Sequence, residues 1–355
     1  MFRFLPIVLL LLPISSPADY LGNTIDIRFD SYSYSEPTSI DSFTHKFNGE
    51  LGNGKGAVSF NQFSIGVNYK KFSLGLIKRL DYFYQFSPDT AKFYYKLEND
   101  IPFLPHKDYR LRLDMNHLEA SGLKVGYHWK LPSNVNLYLF GSYLAASDFY
   151  QLSLAGDASW LADERFFIDA PAEIFSAHNE LLTYPKNDAK GKGAALDIAF
   201  DWQINPHWKI ALAAQDLYSD IDWKGALFSQ INRWQIYQKD STGGLDTRPL
   251  VEGRTLGYEQ NLPVRWFAEA NFLSNSNIHY FSKISHTQYS SDFQLGYSVQ
   301  VNQQHSLSLA WHFMSKSFEV GYATNYAYIR LMLNSLNYKN TKSLGLNIGL
   351  SKPLF

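Results

Sequence analysis

Apolar residues recur at every second position of this chain, in runs of about ten, over most of its length. Phe63, Ile65, Val67 and Tyr69 alternate with Gln62, Ser64, Gly66 and Asn68. Leu123, Val125, Tyr127 and Trp129 alternate with Gly122, Lys124, Gly126 and His128. The same pattern returns at Trp266–Phe272, Phe293–Val301, Leu307–Phe313, Phe318–Tyr322 and Leu344–Leu350. A period of two marks a β-strand with one apolar face. About ten residues is the length of a strand that crosses a bilayer at a tilt.

Alternation alone also fits a soluble sandwich or propeller, so number and placement must decide. The runs give strands over 23–34, 57–70, 72–86, 108–117, 121–131, 134–146, 148–158, 193–203, 207–216, 259–272, 277–287, 290–302, 305–314, 317–325, 326–336 and 341–351. A sandwich has about seven to nine strands. The long connections 35–56, 87–107, 159–192 and 217–258 follow the first, third, seventh and ninth of these runs, so all leave one end. Turns at the other end are short, as at Lys70-Lys71, Asn205-Pro206-His207, Ser274-Asn275-Ser276 and Gln303-Gln304. Tyr69, Tyr127, Trp129, Trp202, Trp208 and Tyr322 stand near strand ends, where membrane barrels carry aromatic girdles. The expected fold is all-β: a single antiparallel transmembrane β-barrel of about 16 strands, or 14 if one meander has been split too far, with long loops on one end and tight turns on the other.

The N-terminus reads as an address. Met1-Phe2-Arg3 supplies a positive region, Phe4 to Ile14 is apolar throughout, and Ser16-Pro17-Ala18 offers small residues before Asp19. As a helix the apolar run would be about 16 Å long, too short for a ~30 Å hydrocarbon core. Residues 1–18 are expected to be a secretory signal peptide and 19–355 the barrel.

Lys+Arg total 32 and Asp+Glu 33. That balance gives no general attraction to nucleic acid, and no nucleic-acid partner is expected. The absence of cysteine excludes disulfides, zinc–thiolate and iron–sulfur sites, a Cys nucleophile and a lipid anchor on an N-terminal cysteine. No Gly-x-Ser-x-Gly or His-Glu-x-x-His run occurs. His117-Leu118-Glu119 places two polar groups on one strand face without further ligands or a nucleophile, and Ser274-Asn275 has no adjacent histidine. No catalytic residue, cofactor or metal site is expected, although an acid–base dyad assembled from loops would leave no linear trace.

Signal peptide, alternating ten-residue strands, one-sided long loops and a terminal Phe355 together resemble a Gram-negative outer-membrane β-barrel. The resemblance implies residence in that membrane's lipids and assembly machinery that reads a last strand ending in an aromatic. Ser351 and Pro353 interrupt the alternation expected before Phe355, and Leu344–Leu350 hold the other parity, which a bulge near Lys352-Pro353 would restore. A narrower stretch, Leu196-Asp197-Ile198-Ala199-Phe200-Asp201 followed by Trp208-Lys209-Ile210-Ala211-Leu212, Asp216-Leu217 and Ile221-Asp222-Trp223, resembles a hairpin of barrels related to the long-chain fatty-acid transporters.

Function would sit on the inner face and in the loops. Candidate lumen-lining charges are Arg28, Arg110, Arg112, Asp114, Asp197, Asp201, Arg265, Glu269, Lys283, Glu319 and Arg330. Both signs occur, so they either line a water-filled pore or pair with one another and fill it. Gly66, Gly126, Gly296, Gly321, Gly345 and Gly349 share that face, serving either curvature or filling. In loop 159–192, Asp169, Pro171 and Glu173 predict a helix start, and Ile174, Ala177, His178, Leu181 and Leu182 continue at helical spacing, as a lid or a surface cap. Trp223, Phe228, Trp234, Ile236 and Tyr237 in loop 217–258 either extend strands or line an entrance. The leading expectation is a channel or transporter passing small solutes through a polar lumen. The alternatives are a transporter of hydrophobic compounds, a barrel serving structure, adhesion or assembly, and a barrel hydrolase. Oligomeric state is left open.

Overall fold

A computed structural model of the chain describes residues 23–45, 47–104, 107–162, 165–178, 189–231, 235–238, 251–275 and 277–354. The expected signal peptide and Phe355 lie outside these residues. In chain order the elements are β1 (Thr24–Ser35), α1 (Ile40–Thr44), β2 (Gly56–Tyr69), β3 (Phe72–Phe86), α2 (Pro88–Glu98), β4 (Asp108–Leu131) and β5 (Val135–Ala162). Next come β6 (Arg165–Asp169), β7 (Ala172–Ser176), β8 (Lys190–Gln203), β9 (Trp208–Ile231), β10 (Gln235–Gln238), β11 (Val251–Gln260), β12 (Arg265–Asn275) and β13 (Ile278–His286). The last five are β14 (Ser291–Gln300), β15 (His305–His312), β16 (Ser317–Thr324), β17 (Ala327–Leu333) and β18 (Ser343–Pro353). The helices sit in loops and begin at Ser39 and Ser87, whose hydroxyls accept from the N–H three residues on.

Every wall strand pairs antiparallel with its neighbours, and β1 pairs with both β2 and β18, so the sheet closes on itself. The wall has fourteen strands: β1 to β5, β8, β9 and β12 to β18. β11 prolongs the line of β12 along the upper part of β9. The short β6, β7 and β10 widen the loop end, β7 bridging β5 to β9 and β6 bridging β5 to β10. The outer face carries the apolar half of the alternation: Phe63, Val67, Leu74, Val125, Leu212, Leu309 and Val320 are all exposed.

The count of fourteen has a local cause. The two runs 108–117 and 121–131 are one strand, β4, and 134–146 and 148–158 are one strand, β5. Glu119 pairs with Asp148 and Ala120 with Ala146, which leaves Ser147 as an extra residue. Such a bulge reverses the parity that faces inward. On β5 the buried aromatics are Tyr138 and Phe140 before it and Phe149 after it. A parity reversal reads in sequence as a strand end.

Two further expectations change, and one open alternative resolves. The helix predicted from Asp169 is instead strand β7, with Ala172, Ile174 and Ser176 buried in alternation. A ladder on each edge, to β5 and to β9, overrides the helical spacing; Leu181 and Leu182 lie outside the described residues. Trp223 and Phe228 belong to β9, so this part of the loop is strand extension, while Trp234 lies outside the described residues. The β1–β18 ladder runs from Tyr34↔Ser343 to Thr24↔Pro353 without a register shift, so there is no bulge at Lys352-Pro353.

Glycine fills rather than bends at two positions. A Cβ on Gly349 would strike the ring of Tyr328, and one on Gly296 the ring of Phe281, so each glycine seats an aromatic from the adjacent strand.

Candidate functional site: a lumen whose walls meet

Inside the barrel, strands that are not neighbours touch. Arg79 of β3 donates from Nη1 to Asp216 Oδ1 at 2.6 Å and from Nη2 to Oδ2 at 2.8 Å. β4, β5 and β8 separate β3 from β9 in the wall, so this forked pair spans the lumen. Asp81 takes the remaining Arg79 donors at 2.6 and 3.1 Å, and Arg265 of β12 reaches Asp216 at 3.4 Å. The four groups are buried and carry two charges of each sign. Arg265 also stands 4.9 Å from the ring of Phe60 on β2, a second crossing.

A wall irregularity places Asp216. Leu196 lies opposite Tyr218 and Ile198 opposite Ala214, so Gln215, Asp216 and Leu217 bulge against Asp197 alone. Asp216 takes φ 55°, a left-handed conformation, and its N–H donates to Asp197 Oδ1 at 2.8 Å. Asp197 in turn receives Lys124 Nζ at 2.5 Å. An Asp at a chain reversal of this kind is favoured because its short side chain tolerates positive φ.

A third crossing begins where β11 ends. Pro263 has no N–H to offer a ladder, and 261–264 leave the sheet. Leu262 N–H donates instead to Ser219 Oγ at 2.8 Å, and its side chain joins Ile77, Leu118, Leu144, Phe149, Ile221 and Trp223 in a buried apolar cluster. Gln260 accepts from Trp223 Nε1 at 3.0 Å and donates to Asn116 Oδ1 at 2.8 Å and to the His117 carbonyl at 2.9 Å, tying β9 and β11 to β4. Nearer the loops, Tyr289 from the β13–β14 turn packs 5.0 Å from Phe83, beside Tyr32, Val58, Phe60 and Met332. There Lys342 Nζ donates to the Glu36 carbonyl at 3.2 Å, and partial burial pulls its pKa below the ordinary lysine value against the opposing pull of Glu36 and Glu50.

Toward the tight-turn end the opposite wall stands clear and leaves an open-mouthed pocket of about 320 Å³. Glu269 and Lys283, paired at 3.2 Å, line it with Arg330, His279, Gln300 and Phe281. His312 sits above it between Asp292 at 2.5 Å and Glu319 at 3.4 Å.

The sequence-derived candidates separate into two groups. Arg28, Asp197, Asp201, Arg265, Glu269, Lys283, Glu319 and Arg330 lie on the inward parity of the wall. Arg28 is 3.9 Å from Asp26, Asp201 is 3.5 Å from Lys209, and Arg330 is 5.6 Å from the Tyr328 ring. Arg110, Arg112 and Asp114 stand on the loop-end extension of β4, away from the crossings; the Arg112 side chain is 69% exposed and reaches Asp114 at 3.4 Å. Sequence reading missed Arg79, Asp81, Asp216, Gln260 and His312. Arg79 and Asp81 had a signal, two opposite charges two residues apart on one face of a strand. Asp216 and Gln260 had none, because each matters through a partner more than 130 residues away in the chain.

No family model and no curated protein matches the chain. Solved structures that are similar include the toluene transporter TodX of Pseudomonas putida, at 10% identity and TM-score 0.46 over 96% of this chain and 93% of that one. The monoaromatic hydrocarbon channel CymD is similar at 9% identity and TM-score 0.44, covering 98% and 94%. A Pseudomonas aeruginosa FadL homologue is similar at 11% identity and TM-score 0.40, covering 96% and 94%.

Proposed function

We propose that this chain is an outer-membrane transport barrel that passes small polar solutes and is held closed by its own lumen. The observation that carries the reading is the two-faced wall. Apolar side chains face out over a closed fourteen-strand sheet, while charged and amide side chains face in and line a cavity of about 320 Å³ at the tight-turn end. Cross-lumen contacts at Arg79–Asp216, Arg265–Phe60 and Gln260–Asn116 form the closure. Export by residues 1–18 with a cut after Ala18, and recognition of Phe355 during assembly, belong to the same reading; N-terminal sequencing of the membrane-derived protein is expected to begin at Asp19.

The test is planar-bilayer conductance of the detergent-folded full chain in salt. The wild type is expected to be nearly silent, and Arg79→Ala to give stable ohmic steps. If neither conducts although both insert, polar-solute passage falls. The reading then favoured is transport of hydrophobic compounds, because Tyr32, Phe60, Phe83 and Tyr289 give the loop half an aromatic interior.

A further inference from the structure

The outer face of β8, β9 and β11 carries charges in an unusual order. Lys190 and Lys224 are register partners, and Asp222 and Glu259 are register partners. All four are exposed. Like charges directly opposite across a ladder destabilise it; Asp222 has Lys192 across its other ladder, so the acid pair is partly offset, while Lys190 and Lys224 face each other. Among the described residues none of the four makes an ion pair. The backbone beneath them is fixed: a Cβ on Gly191 would stand 2.7 Å from the buried indole of Trp223, so the strands pack closely there. The cation pair and the anion pair are therefore presented side by side on a stiff surface.

Their height locates them. Trp202 and Trp208 are exposed at the tight-turn end of the same strands, and Leu212, Leu217 and Tyr218 continue the apolar outer face above them. Ten residues separate Trp202 from Lys192, the outward lysine next below Lys190. At about 3.3 Å per residue and a tilt of about 40°, that is about 25 Å, the height of the apolar band of a membrane barrel. The four charges sit just past it, on the long-loop side, where lipid headgroups begin.

We propose that this patch binds a phosphorylated lipid of the surrounding leaflet, its phosphate on Lys190 and Lys224 and a divalent cation bridging that phosphate to Asp222 and Glu259. Two lysines provide donors without geometric demand, which suits a tetrahedral phosphate. The adjoining carboxylates supply the oxygen ligands that a hard divalent cation takes. The phosphate relieves the Lys190–Lys224 pair, and the shared cation adds to Lys192 in relieving Asp222 and Glu259. The proposal rests on the membrane-barrel reading above.

The full chain is to be folded into phosphatidylcholine vesicles with and without a few per cent of bis-phosphorylated lipid A, in magnesium, and its heat-modifiable band followed on warming. Lipid A is expected to slow unfolding of the wild type. K190Q/K224Q is expected to need about ten-fold more lipid A for the same protection, while K71Q, at a tight turn, behaves as wild type. Chelation of magnesium is expected to remove most of the protection, and D222N/E259Q to make it magnesium-independent. Equal protection of wild type and K190Q/K224Q overturns the proposal. Protection by inorganic phosphate in plain phosphatidylcholine, equal to that of lipid A, replaces the lipid by a free anion and overturns it as well. Protection indifferent to chelation in the wild type overturns the cation bridge. If the chain gives no heat-modifiable band in any vesicle, the membrane-barrel reading itself fails, which is distinguishable from every outcome above.

Discussion

The two halves of the barrel are built to different standards. On one side β4, β5 and β9 run for 24, 28 and 24 residues and fold their inner faces onto one another around Trp223, Phe149 and Leu262. On the other side β13 to β17 run for only 7 to 10 residues, and their inner faces line a cavity. The tall half has its own dry core and resembles a sandwich capped by loops. The short half is held by ladder bonds, by inward pairs such as Glu269–Lys283 and His312–Asp292, and by whatever solvates its outer face. One sheet can therefore be self-sufficient along one arc and dependent on its surroundings along another. The boundary falls where Arg79, Asp216 and Arg265 meet, because a charge layer tolerates both dry and wet neighbours.

The contrast can be broken by substitution, measured as unfolding in detergent. Trp223→Ala removes the largest buried side chain of the tall half and the partner of Gln260, and is expected to cost about 3–5 kcal/mol. Arg79→Ala deprives buried Asp81 of its partner and leaves Asp216 with Arg265 alone, and is expected to cost about 3 kcal/mol or more. Replacing Arg79 and Asp216 together by Leu should recover part of that loss, and strict additivity of the two single changes would show that they do not act as a pair. Gly349→Val, in the short half, pushes Tyr328 off its seat and is expected to cost about 1–3 kcal/mol. A Gly349→Val cost above that of Trp223→Ala would reverse the ranking of the two halves. Lys78→Gln cuts an outward pair with Glu119 in which the lysine is 61% exposed, and should change stability by under about 1 kcal/mol, an effect that fades as salt is raised.

Legibility in sequence followed range. Class, closure and the one-sided placement of long loops were readable because each rests on neighbours in the chain: alternation along a strand and turn length between strands. The sixteen runs became fourteen strands at one extra residue, Ser147, whose parity reversal looks like a break when only one strand is in view. The helix predicted from Asp169 to Leu182 failed over Ala172–Ser176 for a related reason. Spacing of three and four over so few residues weighs less than two sheet edges waiting on either side of β7. The lumen was half legible. Inward charges could be found by parity, as with Arg265 and Glu269. Which of them meet depends on how far the tall wall leans in, and that is set by Pro263 and by the left-handed Asp216 rather than by the charges themselves.

The seam between β1 and β18 has a consequence for how the molecule is made. Thr24 pairs with Pro353 and Tyr34 with Ser343, so the first and last ladders join residues separated by nearly the whole described chain. All other wall ladders join strands that follow one another around the wall, through loops far shorter than the chain, and closure cost grows only slowly with loop length. The seam cannot begin until the final strand exists, and until then β1 and its growing partner edge both carry open rows of N–H and C=O groups. Any intermediate built up from the N-terminal hairpins thus holds β1 in waiting until the last strand arrives. A chain of this topology should fold late and all at once, with premature strand-edge pairing between copies as its characteristic error.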